Sequence, residues 1–448
     1  EPWMGWSRRA LDNAKIRLSA GSMGNGNVSP YSYTSEMTVS TADDIVLGGS
    51  YPSYTSVGST VPVSLTWEKS TTYDVGLDLD FFNNRLSVSG DYYRRYTTDM
   101  YTASVALPAV YGTGSPKGNN AEMKTDGWEL SLSWRDSFKL GGKPFDYSIK
   151  AMVWDSKSVI TKYVNDTGSL GTVKGFIENG GSPSSYYVGM TVGEIWGYTV
   201  AGLFRDQADI DSSAIHDFVQ ASDKVTRPGQ VKIADLDGNG FIDPGNFAVD
   251  DHGDLRIIGN QSPRYRYGVN LSARWNGIGL SVFLQGVGAR DWYPGSDAGM
   301  FWGKYGRPFF ALIPSIHNYT DDMYSAERNN WDTAYWPRMT TYQSNGTKNW
   351  TRLLEIPNTR YIQSAAYLRV KNIQLDYSFP KHICSAIRLQ GLKIYVNAEN
   401  LFTFTPLHKY APNFDPEGLS YDSDFASAAD GYTYPILKSV TVGVNITF

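Results

Sequence analysis

The sequence predicts an all-β fold, an antiparallel transmembrane β-barrel, from three observations: alternating side chains, alternating loop lengths and many aromatic residues. Residues 440–448 carry an apolar side chain at every second position, with polar or small side chains between them. Successive side chains of a strand point to opposite faces of a sheet, so this segment has one apolar face. Aromatic residues make up 14 % of the chain, with 31 Tyr and 13 Trp. Outer-membrane barrels concentrate such residues in two interfacial girdles.

The same alternation recurs along the chain and predicts ten strands. The ten segments lie at about 16–20, 73–81, 86–92, 128–134, 145–153, 265–275, 280–284, 373–379, 392–398 and 440–448. The phase changes once, because Leu368 and Val370 do not share the parity of Ile373. An extra residue in one strand shifts the phase in this way, so we expect a β-bulge near Lys371.

The connections between these strands alternate between short and long. The short connections are 83–85, 136–143, 276–278 and 381–389, and the long ones are 23–69, 99–120, 158–263, 290–364 and 404–436. Outer-membrane barrels have tight periplasmic turns and long extracellular loops. We therefore expect the long connections, above all 158–263 and 290–364, to be extracellular.

Composition and motifs disfavour other classes of protein. No run of about 18 apolar residues occurs, which argues against a transmembrane helix. The net charge of −5 disfavours nucleic acid as a partner, and the single cysteine, Cys384, has no intrachain partner for a disulfide. The five histidines are scattered, and neither H-E-x-x-H nor G-x-S-x-G is present. The sequence therefore predicts that the chain is not an enzyme.

The polar side of the predicted strands carries many charges. They include Asp78, Asp80, Lys150, Arg266 and Arg274. Burying such charges in a dry core would cost several kcal/mol each, so the lumen must be wide and wet or filled by a polar plug. Ten strands are too few for a wide lumen. We therefore expect this chain to be part of a larger barrel, and its opening residues show no signal-peptide pattern.

Four blocks of sequence, in order, resemble the SusC/RagA-like TonB-dependent outer-membrane transporters of Bacteroidota. The blocks are YDVGLDLDFFNNRLSVSGDYYRRYTTDM (73–100), NNAEMKTDGWELSLSWRD (119–136), YLRVKNIQLDYSFP (367–380) and VNAENLFTFT (396–405). The terminal TVGVNITF also resembles the pattern read by the barrel-assembly machinery, with Thr441, Gly443, Ile446 and Phe448 as its signal residues.

The resemblance implies a 22-stranded barrel, of which residues 1–448 would supply roughly the last ten strands. It also implies a plug domain, a TonB box and usually an N-terminal carboxypeptidase-like domain, none of which is in this chain. The implied partners are outer-membrane lipid, the remaining N-terminal part of the barrel, TonB acting through the plug, and a SusD-like surface lipoprotein. The implied function is import of an oligosaccharide or peptide in a Gram-negative bacterium. The alternative is a surface barrel that binds glycans or mediates adhesion without active transport.

One long connection is rich in aromatic residues that suit a substrate or a lid partner. The candidates are Trp292, Tyr293, Trp302, Tyr305, Trp331, Tyr335, Trp336 and Trp350. Sugar rings pack their C–H faces on aromatic rings, and peptides also use aromatic pockets. The alternative is that these side chains pack the loops together, since aromatic residues anchor cores and interfaces alike.

An acidic turn resembles most of an EF-hand loop. Its candidate calcium ligands are Asp235, Asp237, Asn239, the Phe241 carbonyl and Asp243. Gly240 permits the sharp turn, but Asn246 replaces the bidentate Glu at position twelve, so Asp250 or Asp251 would have to substitute. The segment 205–254 holds eleven Asp against two Arg and two Lys. The sequence predicts no required cofactor. It leaves two alternatives for this turn, a Ca²⁺ site that stiffens an extracellular loop or an Asx-rich turn without metal.

Overall fold

A computed structural model of the chain describes residues 11–26, 34, 37–58, 65–103, 110, 117–165, 168–170, 186–215, 226–294, 299–302, 322–338, 356–419 and 436–448. Ten long strands form one sheet in which neighbours along the chain are neighbours in space. Every pair in this sheet is antiparallel. The ten strands coincide with the ten predicted segments, so the predicted all-β antiparallel architecture is confirmed.

The strands are numbered in chain order. Those of the large sheet are β1 (Leu11–Asn25), β4 (Glu68–Phe81), β5 (Leu86–Ala103), β6 (Lys117–Leu140), β7 (Lys143–Lys162), β12 (Arg264–Trp275), β13 (Ile278–Ala289), β16 (Tyr367–Ser378), β17 (Gly391–Phe404) and β18 (Ser439–Thr447). Short strands in the connections are β2 (Met37–Thr41), β3 (Ser53–Val57), β8 (Glu194–Tyr198), β9 (Val200–Leu203), β10 (Val231–Ile233), β11 (Leu255–Asn260), β14 (Asp291–Trp292) and β15 (Gln363–Ser364). The helices are α1 (Gln207–Asp211), α2 (Gly299–Trp302), α3 (Lys381–Ala386) and a 3-10 turn at Pro406–Lys409. Among the described residues, none of these helices has the length and apolar character that crossing a bilayer requires.

Register places apolar side chains of adjacent strands side by side on one face. Leu132 of β6 lies between Val88 of β5 and Ala151 of β7, and its side chain is exposed. The other face carries charges, including an ion pair between Arg17 and Asp78. A broad exposed apolar face is not tolerated in water, whereas it matches the hydrocarbon of a bilayer. The outward face is therefore the lipid face, and the inward face is hydrated.

One short connection is much tighter than the sequence suggested. Strand β6 runs to Leu140 and β7 begins at Lys143, so the connection expected over 136–143 is only two residues long. That boundary prediction was wrong because Gly141 and Gly142, with φ of 58° and 78°, form a tight hairpin turn. Such a turn lets the ladder continue through polar residues beyond the apolar band.

The predicted bulge at Lys371 is confirmed. Val370 and Asn372 pair with Leu284 and Phe283, which are consecutive residues of β13, so Lys371 is the extra residue. The ladder to β17 breaks at the same place. In residues 367–370, before the bulge, even-numbered side chains face outward and odd-numbered ones inward, the reverse of the rest of β16. Arg369 therefore pairs with Gln285 on the inward face. The bulge thus supplies an inward arginine where an uninterrupted strand would point it at lipid.

The best-buried side chains all lie in the connections and not in the large sheet. The largest of them are Trp336, Tyr198, Tyr293, Tyr361, Phe204, Phe301, Ile195, Ile242, Leu255, Leu407 and Val231. All of these except Phe204 and Ile195 belong to one apolar cluster formed by the long connections. A sheet that faces lipid on one side and water on the other has no dry core, so the packed interior forms between the loops.

A charge placed on the outward face should destabilise the sheet. We expect Leu132→Arg to lower the free energy of unfolding in lipid vesicles by about 2–4 kcal/mol, because the guanidinium would enter hydrocarbon. The matched control is Ser131→Arg, one residue away on the inward face, which should change stability far less. Urea unfolding of both variants in the same vesicles measures the difference, and equal losses would contradict the assignment of faces.

Candidate functional site

The long connections are held together by a cluster of aromatic rings. Trp336 stacks on Tyr361 with ring centroids 5.6 Å apart and planes at 16°. Phe301 and Trp302 meet Trp336 edge to face at 5.3 and 6.2 Å. All four side chains are at most 2 % exposed. Burial raises the pKa of Tyr361, so this ring is a neutral packing element at any physiological pH. The cluster is a rigid platform, since aromatic pairs of this geometry add to the free energy of burial.

The structure divides the aromatic residues that the sequence singled out. Trp292, Tyr293, Trp302 and Trp336 are buried, as the packing alternative requires. Trp331 and Tyr335 are partly exposed at the edge of the cluster. Tyr305 and Trp350 lie outside the described residues. Of the described candidates, only the two at the edge present surface that a ligand or partner could touch.

Residues that the sequence did not single out complete this edge. Tyr335 stacks on Tyr410 with centroids 3.6 Å apart and planes at 5°. Arg360 lies 5.8 Å from the Tyr335 ring centroid and donates hydrogen bonds to the Tyr335 and Ala334 carbonyls. Tyr335 and Tyr410 are 75 residues apart, and nothing in either local sequence signals that they meet. The edge therefore combines stacked rings, a guanidinium and partly exposed Trp331, a set that suits sugars and peptides.

Buried amides fix the segment that carries Arg360. Asn358 donates to the Tyr293 hydroxyl at 2.8 Å and accepts from the Arg360 and Tyr361 amides at 3.1 and 3.2 Å. Gln363 donates to the Tyr335 hydroxyl at 2.9 Å. Buried polar groups that have such partners specify one arrangement of their surroundings. The position of the edge residues is thus set by hydrogen bonds as well as by packing.

An ion network ties the last long connection to the sheet. Arg369, which is 3 % exposed, contacts Asp415 at 2.5 Å and Glu417 at 2.6 Å. Lys371, the bulge residue, contacts Glu417 at 2.9 Å. These pairs join strand β16 to residues 415–417, next to the 3-10 turn that leads to Tyr410. The bulge residue therefore helps to tie the segment that follows Tyr410 to strand β16.

The acidic turn has the local geometry of an Asx-rich loop. The Gly238 and Gly240 amides donate to the Asp235 carboxylate at 2.6 and 3.0 Å. Hydrogen bonds from these amides, that of Gly240 first, lower the pKa of Asp235, which keeps it ionised. Gly240 has a φ of 84°, which an L residue rarely adopts. The Asn239 amide group donates to Asp243 at 2.9 Å, so these two predicted ligands face each other.

The structure places Asp254, and not Asp250 or Asp251, beside Asp235 and Asp237 of this turn. Carboxylate oxygens of Asp235, Asp237 and Asp254 lie within 4.8 Å of one another. Asp254 is fully buried, and burial together with Asp237 and Asp235 raises its pKa. Asp250 and Asp251 are exposed instead. Sequence reasoning missed Asp254 because loop spacing alone does not show which aspartate after Asn246 folds back onto the turn.

The inward face of the sheet carries ion pairs and a polar cavity. Arg17 of β1 bridges Asp78 of β4 at 2.8 Å and Asp91 of β5 at 2.9 Å. Near the short connections, a cavity of about 790 Å³ is lined by Arg135, Arg274, Asp376 and Lys393 among others. Asp376 contacts Lys393 at 3.2 Å and is nearly buried. This wall suits contact with water or with a polar protein segment.

Three predicted assembly residues lie on β18, at one edge of the large sheet, and Phe448 follows directly after it. Ile446 and Phe448 are exposed on the outward side, and Thr441 pairs with Asn397. Gly443 lies under the Tyr395 ring, and a Cβ there would come within 2.3 Å of the ring. A ring that covers a strand glycine stabilises the pairing of the two strands.

The comparisons with known proteins agree with this architecture. The family model described as TonB dependent receptor-like, beta-barrel matches residues 9–250. TonB-dependent receptor P3 of Formosa agariphila is 26 % identical over 442 residues, which cover 97 % of this chain and 39 % of that protein. TonB-dependent receptor SusC of Bacteroides thetaiotaomicron is 24 % identical over 446 residues, covering 98 % of this chain and 38 % of SusC. The chain thus spans about two fifths of the length of the curated relatives it matches.

Solved structures share the fold. The RagAB peptide importer in the "open-open" state superposes with a TM-score of 0.68 at 19 % identity, covering 99 % of this chain and 41 % of that one. The RagAB peptide transporter gives a TM-score of 0.64 at 19 % identity, covering 98 % and 41 %. At this identity the likeness concerns the fold.

Removing the inward arginine should release the last long connection. Arg369→Met would remove the cation that contacts Asp415 and would leave Glu417 with Lys371 alone, and breaking a buried pair in this way costs about 3–5 kcal/mol. We expect hydrogen exchange of the amides in 406–419 to accelerate while strands β4–β7 keep their protection. Lys381→Met, on the exposed helix α3, is the control and should change neither the exchange in 406–419 nor the protection of strands β4–β7. Unaltered exchange in 406–419 would show that the network does not hold the connection.

Proposed function

This chain belongs to the TonB-dependent receptor-like β-barrel family, and from that premise we propose that it is the barrel and extracellular-loop portion of an outer-membrane importer. The cargo would be an oligomeric nutrient, an oligosaccharide or a peptide. Members of the family are β-barrels of the Gram-negative outer membrane. Relatives named SusC and RagAB peptide importer support the assignment to uptake.

The charged inward face is the observation that carries this proposal. Ion pairs such as Arg17–Asp78 on the wall need a hydrated interior, and a wide barrel supplies one. Ten strands would line only part of such an interior, in keeping with a chain that spans about two fifths of its relatives. We propose that a plug domain outside this chain fills the lumen and that TonB, acting on the plug, opens a passage. The chain itself performs no covalent chemistry on the cargo.

The loop end of the molecule is proposed as the receiving surface. Long connections would face outward from the cell and short ones the periplasm, as the alternation of loop lengths favours. Trp331, Tyr335 and Tyr410 are partly exposed aromatic residues at the edge of the buried cluster, and Arg360 lies beside the Tyr335 ring. Rings and a guanidinium at the rim of a rigid platform suit cargo or a SusD-like surface lipoprotein that closes the opening.

We also propose that the acidic turn binds Ca²⁺. The donors fit this ion, since Asp235, Asp237 and Asp254 offer hard carboxylate oxygens close together and the Phe241 carbonyl is the seventh-position donor. Asp254 would supply the negative charge that is missing because Asn246 replaces the usual Glu at position twelve of the loop. Bound Ca²⁺ would neutralise part of this acidic segment and fix the connection between β10 and β11, without taking part in transport chemistry.

Loss of the importer should abolish use of one oligomer while sparing its monomers. We expect a deletion strain to fail to grow on one member of a panel of oligosaccharides and peptides, and to recover with the wild-type gene. Trp331→Ala should weaken uptake of that oligomer about tenfold, as loss of an aromatic anchor does. Tyr54→Ala, an exposed aromatic residue on strand β3 in another long connection, is the control and should leave uptake unchanged.

Surface binding of the oligomer separates import from the alternative function. If the deletion strain loses surface binding but grows normally on every oligomer, the protein is a binding or adhesion barrel and the import proposal is wrong. If it loses growth and the defect is reproduced by removing TonB, import is supported.

Asp254→Asn should weaken Ca²⁺ binding about tenfold or more, because affinity in such loops follows the number of charged ligands. Asp250→Asn, on an exposed aspartate nearby, should leave affinity unchanged. Calorimetric titration with CaCl₂ measures both. A chelator should also raise protease sensitivity within 235–254 in the wild type. Equal affinity in the two variants would exclude Asp254 as a ligand.

A further inference from the structure

Three cationic residues lie next to a single carboxylate on the outward face of the sheet. Arg94 of β5 contacts Asp126 of β6 at 2.5 Å, and Lys124 contacts the other oxygen of Asp126 at 3.3 Å. Lys157 of β7 pairs in register with Asp126 from the other side. These four residues, named here the outward cation cluster, carry a net charge of +2.

The register shows that the cluster is compact. Arg94, Asp126 and Lys157 occupy one row across three adjacent strands, and Lys124 lies two residues along β6. With strands about 4.8 Å apart, the Cα atoms of Arg94 and Lys157 are about 10 Å apart. Arg94 and Lys124 remain 43 % and 33 % exposed despite their ion pairs, and Lys157 is exposed. Asp126 neutralises one of the three cations, so the cluster retains positive charge toward its surroundings.

Aromatic rings fix the depth of the cluster relative to a bilayer. Tyr92 and Trp128 occupy the next outward row toward the short connections, and Tyr73 pairs with Arg94. The Tyr92 hydroxyl donates to Asp126 at 3.1 Å. Tyr and Trp rings of outer-membrane barrels lie at the level of the lipid headgroups. The cluster therefore lies at or just above that level, on the side of the long connections.

At the opposite end of the same strands the outward side chains are largely aromatic. They include Trp134, Phe138, Phe145 and Tyr147. The two rims of this part of the barrel thus differ in charge. Cations that only keep the surface hydrated need not gather beside aromatic side chains at one end of the strands. Cations that attract an anionic headgroup in one leaflet would be expected there.

We propose that the outward cation cluster binds a phosphate group of the phosphorylated glycolipid in the outer leaflet. This inference rests on the proposed orientation, in which the long connections face outward and the cluster meets that leaflet. Guanidinium and ammonium groups bind phosphate oxygens through charge-assisted hydrogen bonds. The neighbouring Tyr92 and Trp128 rings present flat faces to the sugar rings that carry the phosphate. A glycerophospholipid offers the phosphate without the sugar rings, so the glycolipid is the better match.

Binding of defined lipids to the purified barrel tests this proposal. The protein that carries this chain would be purified in a neutral detergent and titrated with bisphosphorylated lipid A, its dephosphorylated form, phosphatidylglycerol and inorganic phosphate. Native mass spectrometry would read the bound lipid. We expect bisphosphorylated lipid A to bind at least about tenfold more tightly than the other three, with an affinity that falls as salt rises.

Charge removal locates the site. We expect the triple variant Arg94→Gln, Lys124→Gln, Lys157→Gln to lower lipid A affinity about tenfold or more. Lys157→Gln alone breaks no ion pair among the described residues and should lower it by a smaller factor without affecting folding. Lys150→Gln, on the inward face of the same strand β7, is the control and should bind as the wild type does.

Three results would overturn the proposal: undiminished binding by both the triple variant and Lys157→Gln, equal binding of dephosphorylated lipid A, or equal binding of phosphatidylglycerol or free phosphate. Import is scored separately on the same variants. Loss of lipid A binding with normal uptake supports the cluster and leaves the import function intact. Normal lipid A binding in a protein that imports nothing would reject the import function alone.

Discussion

The alternation of lipid-facing and water-facing side chains constrains every other part of this molecule. A shift of one residue in any strand would turn its charges toward hydrocarbon and its apolar side chains toward water. Register is therefore specified strongly over the whole ten-stranded sheet, although each strand is only half apolar. The same constraint explains why the mean hydropathy of −0.35 is compatible with a membrane protein.

The constraint also moves the packed interior out of the sheet. With lipid on one side and a hydrated lumen on the other, the strands cannot enclose a dry core, and the best-buried rings gather in the connections instead. Trp336 and Tyr361 stabilise that region by apolar burial, as core residues stabilise a soluble domain. Arg369 joins that region to the sheet through Asp415 and Glu417, so residues 415–417 are tied to strand β16.

The sequence predicted the features that depend on the alternation of apolar and polar residues along a strand. It did not predict contacts between segments that are distant in the chain. The ten strands and the bulge at Lys371 follow from parity alone. The hairpin at Gly141 was misjudged because polar residues continue the ladder beyond the apolar band. Asp254 was missed because its place in the acidic turn depends on folding beyond the loop motif, and the stacking of Tyr335 on Tyr410 has no local signal. Aromatic content indicated an important region but could not separate buried rings from those at its edge.

The single extra residue at Lys371 changes which side chains of strand β16 face outward. Below it odd-numbered side chains meet lipid, and above it even-numbered ones do. Deleting that residue would turn the side chains of the upper half of β16 to the opposite face of the sheet. The Arg369 guanidinium would then lie among acyl chains and the apolar Leu368 would face the lumen. The extra residue lies inside a spanning strand, and the inverted phase above it lets Arg369 contact Asp415 and Glu417 from the inward face. Alignments of such strands should therefore allow a one-residue gap at this depth.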